Sequence, residues 1–490
     1  ILMKEKMNII LILTDDQGYW SLGSYGNRDV ISSNLDRLAE EGVRFENFFC
    51  VSPVCSPARA SIFTGKIPSQ HGVHDWLDEH HKDTCEYLKN QTTFVKILAE
   101  NGYRCCLSGK WHLGNSAEIQ QGFEEWYVHE KGGGPYYNAP MYKNGVLIKE
   151  PKYITDATTD YGLEFLDKIS NDDSPFYLSL HYTAPHSPWG KEHHPKELLD
   201  LYNDCKFESC PRDEYHPWKI RETFEGTEEE RLEVLKGYFG AITGVDNQIK
   251  RIMDKLEEIG ELDNTLIIFT SDNGMNMGHH GIFGKGNGTF PQNMYESSVK
   301  IPMIMYHKNR LPKGKVYEGL YSHYDIMPTL LEMLNIEYIP EKELPGKSFL
   351  NIFSDEEENL ENDVVIFDEY GPVRMIRNRE WKYIHRYPFG PHELYDLKND
   401  PNEDKNLIDM IEYQEKVLEL RERLEKWFLR YVNPEIDGAK EPVYGGGQKG
   451  LAGTWGNNRA IYQKYQSDFV CSGENYLRKR DEELKVERVD

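Results

Sequence analysis

Two short acidic clusters follow two of the most apolar segments of the chain, Asn8–Leu13 and Thr265–Thr270. In an open α/β sheet, binding sites lie at the carboxyl ends of strands, so the two clusters could meet at one edge. Carboxylate and amide oxygens suit Ca²⁺ or Mg²⁺ better than zinc. Taken alone, each cluster could instead be a helix cap or a turn. The four candidate metal ligands are Asp15, Asp16, Asp272 and Asn273.

A third segment supplies a candidate nucleophile. Cys55, Pro57 and Arg59 form a Cys-x-Pro-x-Arg pattern at the start of a helical stretch that ends at Gly65. At the first turn of a helix the dipole would make a thiol more acidic. Arg59, four residues further on, would face the same side of the helix as Cys55. From these residues alone, Cys55 could be a nucleophile or simply a packed thiol.

The segment Cys55–Gly65 resembles the signature of the type I sulfatases, a family of the alkaline phosphatase superfamily. The resemblance spans about residues 8–410, and it rests on the ordered set of motifs rather than on any one of them. It implies an α/β fold in which helices sandwich a large, mostly parallel sheet, followed by a smaller C-terminal α+β domain on an antiparallel sheet. The other similar blocks are Asn8–Asp16, Gly109–Gly114, Ala184–His186, Ser271–Gly274, Gly284–Gly286, Tyr324–Leu331 and Glu393–Glu403.

The resemblance also implies an activity and its cofactors. The chain would hydrolyse a sulfate monoester with a formylglycine nucleophile, which a formylglycine-generating enzyme makes by oxidising Cys55. A divalent metal, Ca²⁺ or alternatively Mg²⁺, would be bound by the modified residue 55 and by the four ligands at the strand ends. The implied metal ligands are therefore Asp15, Asp16, Cys55, Asp272 and Asn273.

The implied catalytic residues suit the chemistry of a sulfate ester, which needs cationic groups on the sulfuryl oxygens and an acid for the leaving alcohol. Arg59 would hold the hydrated formylglycine, and Lys110 and Lys285 would clamp the sulfate. His112 would take a proton from the hydrate. His186, together with Lys285, would protonate the leaving group. Taken singly, each of these residues could be a solvated charge or a structural histidine.

Four further residues are weaker candidates for contacts with the leaving group. His74 and Trp76 follow the signature helix, and the Trp76 ring could stack on a sugar. His280 lies shortly before Lys285, and Arg374 lies in the C-terminal part of the chain. Each has an ordinary structural alternative, since a tryptophan is more often part of a core. The expected substrate is a small sulfated molecule such as a sulfated mono- or disaccharide; an aryl sulfate or choline sulfate remains open.

Two other functions also remain open. A phosphonate monoester or phosphodiester hydrolase of the same superfamily can use a modified cysteine, but its pattern usually has Asp-His where this chain has Asp272 and Asn273. A non-catalytic homologue would have no need of Cys55, Arg59 and Lys110 together. We therefore predict a sulfatase.

Strands that alternate with helices must position these residues, and this alternation predicts a mostly parallel sheet covered on both faces. Apolar residues that recur about every 3.6 positions predict the helices, and short apolar runs predict the strands. The predicted strands are Asn8–Leu13, Phe176–Leu180, Thr265–Thr270 and Pro302–Tyr306. The predicted helices are Ser33–Glu41, Thr92–Glu100, Asp156–Ile169 and Glu228–Ile259.

The pattern changes near Val364, after which the apolar runs become short and closely spaced. Val364–Phe367, Val373–Ile376 and Trp381–Ile384 predict an antiparallel meander. Leu407–Tyr431 predicts an amphipathic helix. We therefore predict a catalytic domain over residues 1–363. A smaller α+β subdomain would cover residues 364–490 and end in an irregular, glycine-rich arm that lies over the body.

Composition excludes several other classes of protein. The chain has 490 residues and a net charge of −25, so it lacks the basic balance expected of a nucleic-acid-binding protein. No apolar run approaches the length of a membrane span, and no secretory signal is visible, so we expect a cytoplasmic protein. The eight irregularly spaced cysteines are expected to be free thiols, although Cys205 and Cys210 could form a bridge. The sequence makes no prediction of oligomeric state.

Overall fold

The structure is a computed structural model that describes residues 6–78, 86–170, 172–220, 224–354, 365–453 and 461–462. In chain order the strands are β1 (Asn8–Thr14), β2 (Val43–Phe49), β3 (Arg104–Gly109), β4 (Glu125–His129), β5 (Ala139–Lys143), β6 (Val146–Glu150), β7 (Phe176–His181), β8 (Thr265–Ser271), β9 (Asn276–Met277), β10 (Phe283–Gly284), β11 (Lys300–Ile301), β12 (Met303–Tyr306), β13 (Lys315–Ser322), β14 (Ile366–Tyr370), β15 (Val373–Arg377), β16 (Trp381–Arg386) and β17 (Glu393–Asp396). The α-helices are α1 (Ser33–Glu41), α2 (Cys55–Thr64), α3 (Pro68–His71), α4 (Phe94–Glu100), α5 (Ile154–Ile169), α6 (Lys196–Asp200), α7 (Glu228–Glu258), α8 (Glu296–Val299), α9 (Ile326–Met333) and α10 (Gln414–Tyr431).

The large sheet has eleven strands in the order β11-β2-β12-β8-β1-β7-β3-β4-β5-β6, with β13 paired to β2. Its central strands β8, β1, β7, β3 and β4 run parallel. At its two sides, β12 is antiparallel to β8 and β5 is antiparallel to β4. The predicted fold class, a large and mostly parallel sheet, is therefore confirmed.

Strand β1 shows why the sheet is covered on both faces. Successive side chains of a strand point to opposite faces, and all seven residues of β1 are buried. Leu11 packs in the same cluster as Phe63 of α2. Ile10 packs in a second cluster, with Phe165 of α5 and Ile249 of α7. A strand buried on both faces needs a continuous apolar run, which is the pattern found from Ile9 to Leu13.

The predicted helices match the structure to within a few residues. The longest, α7, begins after Thr227, whose hydroxyl accepts the backbone N–H of Glu230 while the Glu230 side chain accepts the N–H of Thr227. This capping box explains the start of the helix. Helix α4 begins at Phe94 rather than at Thr92, because Thr93 acts as its N-cap. Helix α5 begins at Ile154, two residues before the predicted start.

The C-terminal sheet is antiparallel in the order β14-β15-β16-β17, and helix α10 packs on one of its faces. The prediction that a helix begins at Leu407 was wrong, since α10 begins at Gln414. The backbone N–H of Leu407 instead donates to the carbonyl of Leu394, 2.8 Å away, and this bond ties the segment to β17. Val364, the predicted domain boundary, lies outside the described residues, and the boundary stays a prediction.

The described part of the glycine-rich arm contains only short 3-10 turns, at Pro434–Ile436 and Gly438–Lys440. Among the described cysteines, Cys205 and Cys210 are both free thiols, so the bridge between them is absent. In the part of the chain that the structure describes, every helix is too short or too polar to cross a membrane.

Candidate active site

The two acidic clusters meet at one edge of the large sheet. Strands β1 and β8 are parallel neighbours, with Thr14 opposite Ser271, so the residues that follow them emerge side by side. The backbone N–H of Asp16 donates to Asp272 Oδ1 at 3.1 Å. The side-chain amide of Asn273 donates to Asp16 Oδ1 at 2.8 Å. The structure thus brings together the four residues predicted as metal ligands.

Arg59 connects helix α2 to this edge. It is fully buried, and its Nε donates to Asp272 Oδ2 at 2.9 Å. Its Nη2 lies 2.9 Å from the same oxygen and forms an ion pair with it. A third nitrogen donates to the carbonyl oxygen of Lys110 at 3.0 Å. A buried charge needs such partners, because it has lost its contact with water. The contacts fix the orientation of α2 relative to the strand ends, and thereby the position of Cys55 at its first residue.

The two predicted clamp lysines lie on the carboxylates of the first cluster. The ammonium group of Lys110 pairs with Asp15, and that of Lys285 pairs with Asp16. Burial alone would raise the pKa of the Asp15 carboxyl, but the nearby positive charges, above all that of Lys110, bring it down to about 2. At Asp16 burial is again the largest single effect, but the nearby positive charges, led by Lys285, together lower its pKa. Both carboxylates are therefore charged at neutral pH.

Cys55 and His112 face each other in the centre of the site. Cys55 Sγ lies 3.3 Å from His112 Nδ1. His112 Nε2 lies 2.9 Å from the carbonyl oxygen of Leu77, which can only accept, so Nε2 carries the proton and donates it. In the neutral imidazole Nδ1 is then the acceptor nitrogen, and it lies 3.3 Å from the sulfur of residue 55.

His186 lies on the more open side of the cluster and is part-buried. Its Nδ1 donates to the carbonyl oxygen of Ser187 at 2.7 Å, and its Nε2 lies 3.5 Å from Asp16 Oδ2. One ligand atom from each of Asp15, Asp16 and His186 lies within 4.8 Å of the others.

The donor set fits a hard divalent cation. Asp15 Oδ1 and Asn273 Oδ1 are buried oxygens that accept no hydrogen bond. Such oxygens are costly to bury unless something positive binds them. Side-chain oxygens of this kind, without a buried thiolate cluster, suit Ca²⁺ or Mg²⁺. Asp15, Asp16, Asp272 and Asn273 are the residues that would hold such an ion.

Two of the weaker candidates are buried. Arg374 is buried, with its guanidinium bonded to Glu369 at 2.8 Å and to Asp437 at 2.6 Å. These ion pairs account for the charge of Arg374, and its contact with substrate stays a prediction. His74 is fully buried, and burial lowers its pKa, so it is neutral and has no contact with solvent.

The other two weaker candidates are more exposed. The indole N–H of Trp76 donates to the carbonyl oxygen of Gly445 in the arm at 3.0 Å, and the ring is only part-buried. The imidazole of His280 stacks on the ring of Tyr295 with centroids 3.7 Å apart. Burial lowers the pKa of His280 to about 4. Trp76 and His280 are therefore part-buried, whereas Arg374 and His74 are buried.

Several residues around the site were missed by the sequence analysis. Ser56 Oγ accepts the backbone N–H of Leu77 at 3.1 Å, next to Cys55. His181 Nδ1 donates to the Lys110 carbonyl oxygen at 3.2 Å, and His323 Nε2 donates to the Ser271 carbonyl oxygen at 3.0 Å. His181 ends strand β7, so its position at a strand end was a usable signal. The position of Leu77 gave no such signal in the sequence.

Comparison with known families agrees with this geometry. A family model described as Sulfatase matches residues 7–336, and one described as N-sulphoglucosamine sulphohydrolase, C-terminal, matches residues 278–429. The chain belongs to the sulfatase family. The sulfatase is a sulfuric ester hydrolase that acts on sulfate monoesters, and membership of the family implies a divalent metal and a formylglycine.

Individual relatives extend over most of the sulfatase. The N-acetylglucosamine-6-O-sulfatase of Bacteroides thetaiotaomicron is 27% identical and aligns over 91% of this chain and 90% of its own. A protein solved in complex with its substrate D-glucosamine-2-N,6-O-disulfate has a TM-score of 0.76 and is 26% identical, over 89% of this chain and all of its own. The phosphonate monoester hydrolase of Agrobacterium radiobacter, 22% identical with a TM-score of 0.68 over 87% of this chain and 96% of its own, shares the fold.

Proposed function

We propose that this sulfatase removes sulfate from a small sulfated carbohydrate, such as a mono- or disaccharide, through a formylglycine made from Cys55. We further propose that the bound cation is Ca²⁺, or Mg²⁺ in its place. The ligands would be Asp15, Asp16, Asp272 and Asn273, together with the modified residue 55. A formylglycine-generating enzyme would be the partner that matures the chain.

The observation that carries the proposal is the position of Cys55 among buried cationic groups. Its sulfur lies 3.3 Å from His112, and the ammonium groups of Lys110 and Lys285 are buried in the same site. A sulfate group beside residue 55 would meet both lysines. Positive groups that are oriented in advance stabilise the negative charge that develops during ester cleavage.

The two histidines are arranged to move protons on different sides of the ester. His112 donates Nε2–H to Leu77, which makes Nδ1 the proton acceptor towards residue 55. His186 lies where the site opens, so with Lys285 it can give a proton to the departing alcohol. Arg59 keeps residue 55 in place through its contacts with Asp272. A bound divalent cation would add Lewis acidity to this site.

The carbohydrate substrate is supported by the relatives. The enzyme named for N-acetylglucosamine 6-O-sulfate aligns with about nine-tenths of this chain, and the protein solved with a glucosamine disulfate has the same fold over a similar length. A phosphonate monoester hydrolase also shares the fold, so the fold alone does not select the ester. The neutral amide of Asn273 favours a sulfate ester, because a sulfuryl group carries less negative charge than a phosphoryl group.

A panel of sulfated sugars tests the proposal by the release of sulfate or phenol. The panel also contains 4-nitrophenyl sulfate, choline sulfate and a phenylphosphonate monoester. We expect sulfate release from at least one sugar. Cys55→Ala should abolish turnover with little effect on the melting temperature, because alanine suits the helix that begins at residue 55 and the substitution removes only one side-chain atom. Cys105→Ala, a buried thiol elsewhere in the sheet, is the matched control.

Mass spectrometry of the tryptic peptide that contains residue 55 should find formylglycine, which is lighter than cysteine, in protein made with a maturing enzyme. Near-normal sulfate release by Cys55→Ala would refute the mechanism. Turnover of the phosphonate but of no sulfate would refute the substrate class.

A further inference from the structure

One side of the site is bounded by the backbone of residues 74–78. His112 donates to the carbonyl oxygen of Leu77 at 2.9 Å, and the N–H of Leu77 donates to Ser56 Oγ at 3.1 Å. Ser56 is the neighbour of Cys55, whose sulfur faces His112. The segment is therefore joined to the reacting position through His112 and through helix α2.

A second side of the site is bounded by the loop that carries Lys285. This lysine pairs with Asp16, and the N–H of Gly286 donates to the carbonyl oxygen of Pro53 at 3.0 Å. Pro53 precedes Cys55 by two residues, so this loop also touches the start of α2. Asn287 extends from it towards solvent and is only part-buried.

Residues 443–450, the part of the glycine-rich arm that reaches the site, are paired with the first of these two sides. The N–H of Gln448 donates to the carbonyl oxygen of Trp76 at 2.8 Å, and the N–H of Asp78 donates to the carbonyl oxygen of Gln448 at 2.9 Å. Gln448 thus forms a parallel bridge with Leu77. The indole of Trp76 donates to Gly445 of the arm at 3.0 Å.

The arm also reaches the second side. The side-chain amide of Asn287 donates to the carbonyl oxygen of Gly445 at 3.3 Å. Gly445 therefore accepts hydrogen bonds from Trp76 of the first segment and from Asn287 of the Lys285 loop. The contacts form a ring that starts at residue 55, runs through His112, the 74–78 segment, the arm and the Lys285 loop, and returns to the start of α2 at Pro53.

The glycines of the arm are fitted to this position. A side-chain carbon at Gly447 would lie 2.9 Å from the Trp76 ring, and one at Gly445 would lie 3.0 Å from Asn287 Cβ. Both glycines have positive φ, of 105° and 80°, which other residues rarely adopt. The run of glycines thus lets the backbone lie flat against Trp76 and Asn287. A loosely attached tail would not need such a close fit.

The arm is the outermost part of the ring and presents aromatic side chains there. Asp15 and Arg59 at the centre are fully buried, whereas Trp76 and Tyr444 are part-buried. The rings of Tyr444 and Phe290 are 6.0 Å apart, and Phe290 is exposed. Aromatic faces beside a few polar groups are typical of the lining of small-molecule pockets.

We propose that the arm, with Trp76, forms the part of the pocket that binds the sugar ring of the leaving group. The sulfate would lie inside the ring of contacts, against Lys110 and Lys285, and the sugar would pass between Trp76 and Tyr444. The inference rests on the proposed function, because it assumes a sulfated sugar as the substrate.

Tyr444→Ala and Trp76→Ala test the proposal, with Phe389→Ala as the matched control because Phe389 is 92% exposed elsewhere on the surface. For the best sugar sulfate of the panel, each test variant should raise KM by about tenfold or more, with a smaller effect on kcat. Inorganic sulfate is the second probe. It fills only the sulfate position, so its inhibition constant should stay within about twofold of the wild-type value.

The outcomes separate the two proposals. If the wild-type protein releases sulfate from no ester, the proposed function fails and the sugar subsite fails with it. If the wild type is active and both test variants keep KM within about twofold, the arm does not bind the leaving group. A parallel rise of KM and of the inhibition constant for sulfate would also overturn the proposal, since the arm would then only support the sulfate site.

Discussion

At the scale of single residues, the unusual conformation of His112 is central to the site. Its φ is 56°, a left-handed conformation that is uncommon outside glycine and asparagine. The ring is held between the Leu77 carbonyl and the sulfur of Cys55. Gly132 lies directly against this ring, and a side-chain carbon there would be 2.0 Å from His112 Nε2. The absence of a side chain at Gly132 is therefore a condition for the position of His112.

Gly132→Ala should displace the imidazole and lower kcat by roughly 100-fold, the scale of a lost or misplaced proton acceptor. Gly133→Ala is the matched control, because a side-chain carbon at Gly133 would meet nothing within 4 Å. Steady-state kinetics on the best sugar sulfate would measure both. Equal activity of the two variants would contradict the role given to Gly132.

His194 gives a prediction about pH. It is buried, its Nε2 donates to the Pro188 carbonyl oxygen at 2.9 Å, and its Nδ1 accepts from the Tyr153 hydroxyl at 3.0 Å. Burial lowers its pKa to about 4. Between pH 7 and pH 5 the unfolded chain therefore binds a proton that the folded protein does not, so stability falls as the pH falls.

Between pH 7 and pH 5, protonation of His194 in the unfolded chain should lower the free energy of unfolding by about 2 kcal/mol. His194→Gln cannot take up the proton, so it should lose about 2 kcal/mol less than the wild type between pH 7 and pH 5. Urea unfolding at the two pH values would measure the difference. Identical losses in the two proteins would show that His194 titrates normally in the folded state.

At the scale of elements, the metal site depends on the register of two strands. Thr14 of β1 and Ser271 of β8 are aligned, so both strands end at the same level. A slip of one residue would turn one of the acidic clusters to the other face of the sheet. The alignment is maintained by apolar side chains over the whole length of both strands, which are entirely buried.

Ca²⁺ should therefore stabilise the folded protein. At a free concentration about 100 times its dissociation constant, the gain would be about 2.7 kcal/mol, seen as a higher melting temperature than in chelator. Asp15→Asn should lose most of this response. Asp263→Asn changes an exposed acidic residue and should keep the full response to Ca²⁺. Differential scanning calorimetry with Ca²⁺, Mg²⁺ and chelator would also rank the two ions. An unchanged response in Asp15→Asn would place the cation elsewhere.

At the scale of the whole molecule, buried charges join the C-terminal sheet to the large one. Lys382 of β16 is fully buried and lies 2.8 Å from Glu296 of α8 and 2.6 Å from Glu403. Arg377 of β15 lies 3.0 Å from Glu296 as well. Because Glu296 lies directly before β11 of the large sheet, these contacts set how the two sheets meet.

Lys382→Met should destabilise the protein by about 3 kcal/mol or more, because it removes the cation that pairs with the buried carboxylate of Glu403. Lys398→Met is the matched control. Lys398 pairs with Glu380 at 2.7 Å, but both side chains are more than half exposed, so its loss should cost at most about 1 kcal/mol. Denaturant unfolding would compare them. Similar small losses in both variants would mean that the buried network does not hold the sheets together.

The amino-acid sequence by itself determined the inner part of the site. Asp15 and Asp16 follow a continuous apolar run, and that local pattern fixes both a buried strand and the acidic residues at its end. The same holds for Asp272 and for the helix that begins at Cys55. These features depend on residues that are neighbours in the chain, so periodicity and short motifs are enough to predict them.

Tertiary structure decided the features that depend on distant residues. Strands β2, β3 and β4 are short or mixed in polarity and carry no clear period, so only pairing with their neighbours defines them. Arg374 forms an ion pair with Asp437, which lies 63 residues further along the chain. The arm reaches the site through His74 and Gln448, which are 374 residues apart. Contacts of this kind arise from the packing of the whole chain, since no local pattern specifies which distant segment will lie opposite.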